Sequence, residues 1–194
     1  MTPLATVLYE DKMLPSSGGN YPLHDLVMRM VEDQIDGETW KLRKSISRNP
    51  RKGIGNILND VEDAAFLAGT GELYLLVDRD VIAKHLGLPT ASTDESVVAA
   101  LVARSDAPAK VHPYFLRPNI EGLLRSIKDC DPALLPGNMR AALEKRLNDR
   151  DIVFNEVKKA GQAALRACVR RAQPGIDGLA SALALLIPAK VTWP

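Results

Sequence analysis

The chain has few of the residues from which many familiar sites are built. Its 194 residues include only two cysteines and three histidines, and aromatic residues make up 5%. Cys130 and Cys168 show no CxxC spacing, so we expect two ordinary thiols rather than a zinc site or a disulfide framework. His24, His85 and His112 are scattered along the chain, without a spacing typical of a shared metal.

Long apolar runs and a strong net charge are also lacking. No run is long enough to span a bilayer, and the N-terminus does not resemble a signal peptide, so we expect a cytoplasmic protein without a membrane partner. The formal net charge of +1 favours no class of partner by itself, which leaves the local distribution of charge as the guide. The Gly-x-Ser-x-Gly elbow is absent, which argues against a serine hydrolase.

The most informative segment is a short apolar run that ends in two aspartates. Residues 73–77 are typical of a buried strand, and Asp78-Arg79-Asp80 follows directly. In an extended chain residues i and i+2 point to the same side, so Asp78 and Asp80 are expected to converge beyond the strand. Two close carboxylates repel each other unless a cation lies between them, and Mg²⁺ or Mn²⁺ prefers such oxygen ligands. The alternative is a strand followed by a solvated turn.

A second short strand, predicted at residues 5–9, also ends at acidic residues. Glu10 and Asp11 follow it, and Lys12 comes next. The carboxyl ends of parallel strands share one edge of a sheet, so Glu10 is expected to face the same crevice as the two aspartates. Lys12 would stabilise a phosphate or a developing oxyanion there, with an ordinary surface lysine as the alternative.

The chain alternates between strand-like and helix-like patterns. Strands are predicted at 5–9, 73–77 and 110–116, and helices at 21–35, 54–67, 81–86, 94–104, 120–127, 138–173 and 176–186. This order predicts an α/β fold with a mostly parallel central sheet flanked by helices. We expect residues 1–130 to form this domain and residues 131–194 to form a helical C-terminal extension packed on it. Residues 179–187 are apolar on nearly every side, so a homodimer is the second expectation for that surface.

Basic residues are concentrated in one segment of this almost neutral chain. Residues 41–53 contain six basic side chains and no acidic one: Lys41, Arg43, Lys44, Arg48, Arg51 and Lys52. Such residues contact phosphates and position a nucleic-acid backbone without reading its sequence. The alternative is an exposed basic strand and loop without a partner. Gly53-Ile54-Gly55-Asn56 follows and is predicted to begin a helix, whose amides can also receive a phosphate.

Three acidic positions together resemble the motifs of the Toprim family. They are Glu10 after the first strand, the Asp78-Arg79-Asp80 segment, and Glu121 within Arg117-Pro118-Asn119-Ile120-Glu121-Gly122-Leu123-Leu124. The resemblance covers roughly residues 4–128. Within the superfamily, the sequence is most similar to small stand-alone bacterial Toprim-like proteins and to the nuclease domains of the overcoming-lysogenization-defect family. Members of the superfamily include topoisomerases, primases and nucleases, and they act on phosphodiesters with a divalent metal.

The resemblance implies a role for each matched acid. Glu10 would be a metal ligand or general acid/base, and Asp78 and Asp80 would be the metal-binding pair. Glu121 would hold a second metal, with a solvated acid in the first turn of a helix as the alternative. The family places a glycine beside its first acid, whereas this chain has Asp11, which is left as a substitute ligand.

Three hypotheses about function follow from these features. The first is a nuclease or related phosphodiester-processing enzyme, in which carboxylates hold Mg²⁺ or Mn²⁺ and the metal activates water. The second is a catalytically inert Toprim-like module that binds nucleic acid or a protein, in a phage-defence or toxin-like system, with a partner ATPase as a candidate regulator. The third is a receiver-like phosphate-handling domain, which is weaker because a phospho-acceptor Asp with its Thr/Ser and Lys partners is not evident.

Overall fold

A four-stranded parallel sheet forms the centre of the fold. The computed structural model of the protein describes residues 3–10, 21–35, 44–144 and 150–186. Its strands are β1 (Ala5–Glu10), β2 (Ile46–Arg51), β3 (Glu72–Asp78) and β4 (Val111–Leu116). They lie in the order β2-β1-β3-β4, and every neighbouring pair is parallel. The predicted α/β class with a parallel sheet is confirmed.

Helices connect and follow the strands. In chain order they are α1 (Pro22–Glu32), α2 (Ile54–Glu62), α3 (Ala64–Ala68), α4 (Arg79–His85), α5 (Asp94–Val102), α6 (Ile120–Lys128), α7 (Gly137–Glu144), α8 (Arg150–Val157), α9 (Ala163–Ala172) and α10 (Pro174–Leu185). Local signals fix several of their starts: Thr93 caps α5, Asn119 caps α6, and a proline begins α10. Within the described ranges, no helix combines the length and the apolarity needed to cross a membrane.

The helices cover the two faces of the sheet with two separate apolar layers. On one face Leu8, Leu75 and Val77 pack against α2, α3, α4 and α5. On the other face Tyr9 and Leu76 pack against α1, α6 and the C-terminal helices. Helix α10 contacts both α1 and β4, and the division into a domain of residues 1–130 and an extension of residues 131–194 stays a prediction. The homodimer stays a prediction.

The edge strand β2 was not among the predicted strands. It comes from the basic segment, and of its six residues only Ile46 is buried. It is held by its parallel ladder with β1 and by a 2.8 Å hydrogen bond between the hydroxyls of Thr6 and Ser47. An edge strand with little apolar surface shows no alternation of apolar and polar residues, which explains why the sequence pattern did not reveal it.

The expectation of two ordinary thiols is wrong. Cys130 and Cys168 form a disulfide, and their Cα atoms are 6.2 Å apart. The two residues are separated by 38 positions in sequence and are brought together because α9 packs against α6. Such a pairing depends on the packing of distant helices, so cysteine spacing alone could not predict it.

The buried tyrosines make the fold sensitive to alkaline pH. Burial, together with smaller contributions from Tyr114 and Glu72, raises the pKa of Tyr74 to about 12, and burial also raises the pKa of Tyr9 and of Tyr114. An unfolded tyrosine ionises near pH 10, so above this pH the unfolded state binds fewer protons than the folded state. We therefore expect the free energy of unfolding to fall as pH rises from about 10 to about 12.

Urea titrations across this pH window, with tyrosinate absorbance recorded in parallel, measure the effect. The Tyr74→Phe variant serves as the control, because it should lose less stability than the wild type over the same window. Tyrosinate formation in the folded wild type near pH 10, without any loss of stability, would contradict this prediction.

Candidate functional site

The strand order places a crevice between the carboxyl ends of β1 and β3. From β1 the chain passes through α1 on one face of the sheet, whereas from β3 it passes through α4 and α5 on the other face. Because β1 and β3 are neighbours, their connections diverge at this point, which is where open α/β sheets bind ligands. Glu10 and Asp78 are the last residues of these two strands.

Glu10 and Asp78 nevertheless belong to opposite faces of the sheet. Side chains alternate along a strand, so Glu10 shares the face of Leu8, which packs against α2 and α4. Asp78 is in register with Leu116, which packs in the α1 layer. Both carboxyl-bearing residues are at least nine-tenths buried. The strands therefore direct these two acids away from each other.

Asp80 does not extend the strand as predicted. Helix α4 begins at Arg79, so Asp80 lies in the first turn of this helix and the extended geometry that would bring it beside Asp78 does not form. Its carboxylate is half-exposed and lies 3.5 Å from Nη1 of Arg79. Glu121 is likewise an exposed acid in the first turn of α6. Both acids are placed favourably for the dipoles of their own helices.

The predicted metal ligands do not form one ligand set. Glu10, Asp78, Asp80 and Glu121 lie on four different elements, and Glu10 and Asp78 belong to opposite faces of the sheet. Across residues 3–10, 21–35, 44–144 and 150–186, no group of three or more His, Cys, Asp or Glu side chains could hold a metal ion. This arrangement does not fit a shared Mg²⁺ or Mn²⁺ ion, so no catalytic step is assigned to one. Asp11 and Lys12 lie outside the described residues.

A cleft of about 630 Å³ opens on the Glu10 side of the crevice. We name it the Glu10 cleft, and it is lined by Glu10, Lys52, Gly53, Ile54, Gly55, Asn56, Asn59, Val81 and His85. Helix α2 begins in its wall, and Gly53 at its N-cap has φ 80°, a conformation that favours glycine. Apart from the adjoining residues and the backbone of the helix itself, no heavy atom lies within 4 Å of the position that a Cβ would take at Gly53 or Gly55. The backbone at the start of α2 is therefore open to a ligand.

His85 is a lining residue that the sequence did not single out. Its Nδ1 lies 2.9 Å from the carbonyl oxygen of Val81, one turn earlier in α4. A carbonyl only accepts hydrogen bonds, so Nδ1 is the donor in this contact. His85 reaches the cleft because α4 packs beside α2, a contact that histidine spacing cannot reveal.

A second cleft, of about 540 Å³, lies between the ends of β3 and β4. We name it the Arg79 cleft, and it is lined by Arg79, Asp80, Thr90, Ser92, Thr93, Asp94, Arg117 and Pro118. The buried Arg79 guanidinium donates to the carbonyl oxygens of Thr90, at 2.7 Å, and Ser92. Asp94 accepts from Arg79 and also pairs with Arg117. Arg79, which the prediction passed over in favour of its two acidic neighbours, thus fixes the loop between α4 and α5.

The predicted nucleic-acid-binding residues differ in exposure and in the partners they contact. Arg51 forms a bidentate ion pair with Asp60 on α2, in which Nη2 lies 2.8 Å from Oδ1. Arg48 lies on the α1 face, where its charge acts on Tyr9. Lys44 and Lys52 are exposed, and Lys52 alone of these four lines the Glu10 cleft. The remaining two predicted residues, Lys41 and Arg43, lie outside the described residues.

Comparison with known proteins adds no relative from which a function could be transferred. No protein-family model, no curated protein and no solved structure matches the chain. The resemblance to the Toprim family stays a prediction.

Proposed function

We propose that the protein binds the phosphate backbone of nucleic acid at the Glu10 cleft and along the adjoining edge strand β2. One observation carries this proposal: Lys52, which directly follows strand β2, and the first turn of helix α2 line the same cleft. Lys52 supplies a positive charge there, and the open backbone at Gly53 and Gly55 supplies amide donors at the positive end of a helix. These are the groups that hold a phosphate without reading a base.

The carboxylate of Glu10 sets a limit on how deeply a phosphate enters. Residue Glu10 is 8% exposed and lines the cleft. A buried carboxylate repels a phosphate, which places the bound phosphate at the rim, beside Lys52 rather than beside Glu10. We therefore expect the Glu10→Gln variant to bind nucleic acid at least as tightly as the wild type.

Salt-dependent binding of single-stranded and duplex oligonucleotides, both DNA and RNA, tests the proposal. We expect the Lys52→Gln variant to bind more weakly and to reduce the slope of log affinity against log salt concentration by about 1. The control is Lys110→Gln, which removes a partly exposed lysine just before β4, at the opposite end of the sheet. Equal affinities for the wild type, Lys52→Gln and Lys110→Gln at every salt concentration would contradict the proposal.

The metal-dependent nuclease stays a prediction, and the same variants separate it from the binding module. Incubating the protein with the oligonucleotides and Mn²⁺ or Mg²⁺ measures cleavage. Cleavage that is lost in both Glu10→Gln and Asp78→Asn would support the nuclease, since these acids are its predicted ligands. Binding without cleavage, retained in Glu10→Gln, would support the binding module.

The location of the protein and its biological role also remain predictions. The cytoplasmic location, the partner ATPase and a role in phage defence are proposals that rest on the Toprim resemblance or on sequence composition. The disulfide bears on the first of these, because disulfides persist mainly in oxidising compartments. Alkylating the protein in intact cells and counting the free thiols of Cys130 and Cys168 would report the redox state in which it works.

A further inference from the structure

The disulfide joins two parts of the chain that the sequence assigned to separate units. Cys130 follows α6 at the end of the predicted α/β domain, and Cys168 lies in α9 of the C-terminal extension. Cys130 is 2% exposed, whereas Cys168 is partly exposed. The bond therefore crosses the contact between α6 and α9, which we name the α6–α9 interface, and one of its two sulfur-bearing residues is nearer to solvent.

Gln173 strengthens the same interface from the end of α9. This side chain is 2% exposed, and its Nε2 donates to the carbonyl oxygen of Arg117 at 3.0 Å and to Oγ of Ser126 at 2.8 Å. Its Oε1 accepts from the backbone N–H of Arg117 at 3.3 Å. The side chain that follows α9 thus bonds both backbone groups of Arg117 and a hydroxyl of α6.

Helix α6 packs closely against the same segment. A Cβ on Gly122 would lie 2.3 Å from the carbonyl oxygen of Arg117 and 2.5 Å from Cδ of Pro118. Arg117 and Pro118 form one rim of the Arg79 cleft. The position of this rim therefore depends on how closely α6 and α9 are held together.

We propose that the Cys130–Cys168 disulfide is a redox-responsive tether that holds the α6–α9 interface closed and is opened by a dithiol reductant. A structural bond that merely stabilises the chain is the alternative. Small secreted domains need such bonds because their cores are small, whereas this chain buries two extended apolar layers around its sheet. The bond therefore constrains the α6–α9 interface in particular, rather than stabilising the chain as a whole.

Opening proceeds by thiol–disulfide exchange. A thiolate of the dithiol attacks Sγ of Cys168, the partly exposed partner, so that a mixed disulfide forms and Cys130 leaves as a thiolate. The second thiol of the dithiol then attacks the mixed disulfide and releases Cys168. Two electrons pass from the dithiol to the protein disulfide, the two cysteines take up two protons, and the dithiol becomes a disulfide.

Hydrogen exchange of the full chain, oxidised and reduced with dithiothreitol, tests the tether. Free thiols are counted in both samples. We expect amides in 117–131 and 163–173 to exchange at least about tenfold faster after reduction, and to accelerate more than those of β1 and β3. The Cys130→Ala/Cys168→Ala variant should match the reduced wild type and should not respond to dithiothreitol.

Two results would overturn the tether. Acceleration by the same factor in every element would show that the bond acts on the unfolded chain alone. Unchanged exchange in 117–131 and 163–173, after thiol counting has shown full reduction, would show that the bond constrains nothing locally. The reaction of each single cysteine with oxidised glutathione tests which sulfur is attacked. Cys168 in the Cys130→Ser variant should form a mixed disulfide faster than Cys130 in the Cys168→Ser variant. The reverse order would overturn the assigned mechanism.

Discussion

Replacing Arg166 by alanine should lower the free energy of unfolding by about 3–5 kcal/mol. Its guanidinium is 1% exposed and forms a bidentate ion pair with Asp33, with Nε 2.5 Å from Oδ2 and Nη2 2.8 Å from Oδ1. Its Nη1 also donates to the carbonyl oxygens of Val157 at 2.9 Å and Lys159 at 2.6 Å. Arg166 thus joins the end of α1 to the connection between α8 and α9. Its removal would leave one acidic side chain and two backbone carbonyls without these bonds.

Urea denaturation measures this loss, and a second arginine of α9 provides the matched control. Arg170 pairs with Asp177, but both side chains are far more exposed than Arg166. We expect Arg170→Ala to cost less than about 1 kcal/mol. The Arg166→Lys variant should fall between the two, since an ammonium group cannot reproduce the bidentate geometry. Equal stabilities for the Arg166→Ala and Arg170→Ala proteins would contradict the role of Arg166.

A methyl group at Gly175 should be the second severe change, with a loss of about 3 kcal/mol or more. Gly175 lies in the first turn of α10, where this helix crosses β4. A Cβ at this position would lie 1.9 Å from the carbonyl oxygen of Phe115 and 2.9 Å from its nitrogen. Both obstacles are backbone atoms of a strand in the sheet, so they cannot move aside without disturbing the ladder. Gly175→Ala would therefore push α10 away from the sheet.

Two other glycines make this a graded series. A Cβ at Gly178 would meet Cε1 of the Tyr114 ring at 2.9 Å, and a ring can shift at smaller cost than a strand. A Cβ at Gly161 would meet no atom within 4 Å. We expect the loss of stability on substitution by alanine to decrease in the order Gly175, Gly178, Gly161, as measured by thermal and urea unfolding. A Gly175→Ala protein as stable as the Gly161→Ala protein would contradict the close packing of α10 on β4.

The fold could be predicted where burial is reflected in a local pattern. β3 is buried along almost its whole length, so its continuous apolar run identified it, and the same holds for β1. β2 is an edge strand with basic, partly buried residues, so it contains no continuous apolar run by which it could be recognised. The amphipathic helices α1 and α6 were predicted within a few residues of their observed ends.

The candidate site could be predicted less completely, for physical reasons that differ from residue to residue. Glu10 was placed at the carboxyl edge because parallel strands share that edge. The convergence of Asp78 with Asp80 failed because it requires two more extended residues, whereas the chain turns into a helix at Arg79. His85 entered the cleft through the packing of α4 beside α2, a contact between elements that no local pattern contains.

The most direct test of the central claim is to map the binding surface by NMR. An unlabelled oligonucleotide would be titrated into the ¹⁵N-labelled protein at low salt, and the shifts of backbone amides would be followed. The proposed function predicts the largest shifts at Lys52, Gly53 and Gly55, where β2 ends and α2 begins in the Glu10 cleft. Shifts confined to the rim of the Arg79 cleft, or no saturable shifts at all, would contradict it.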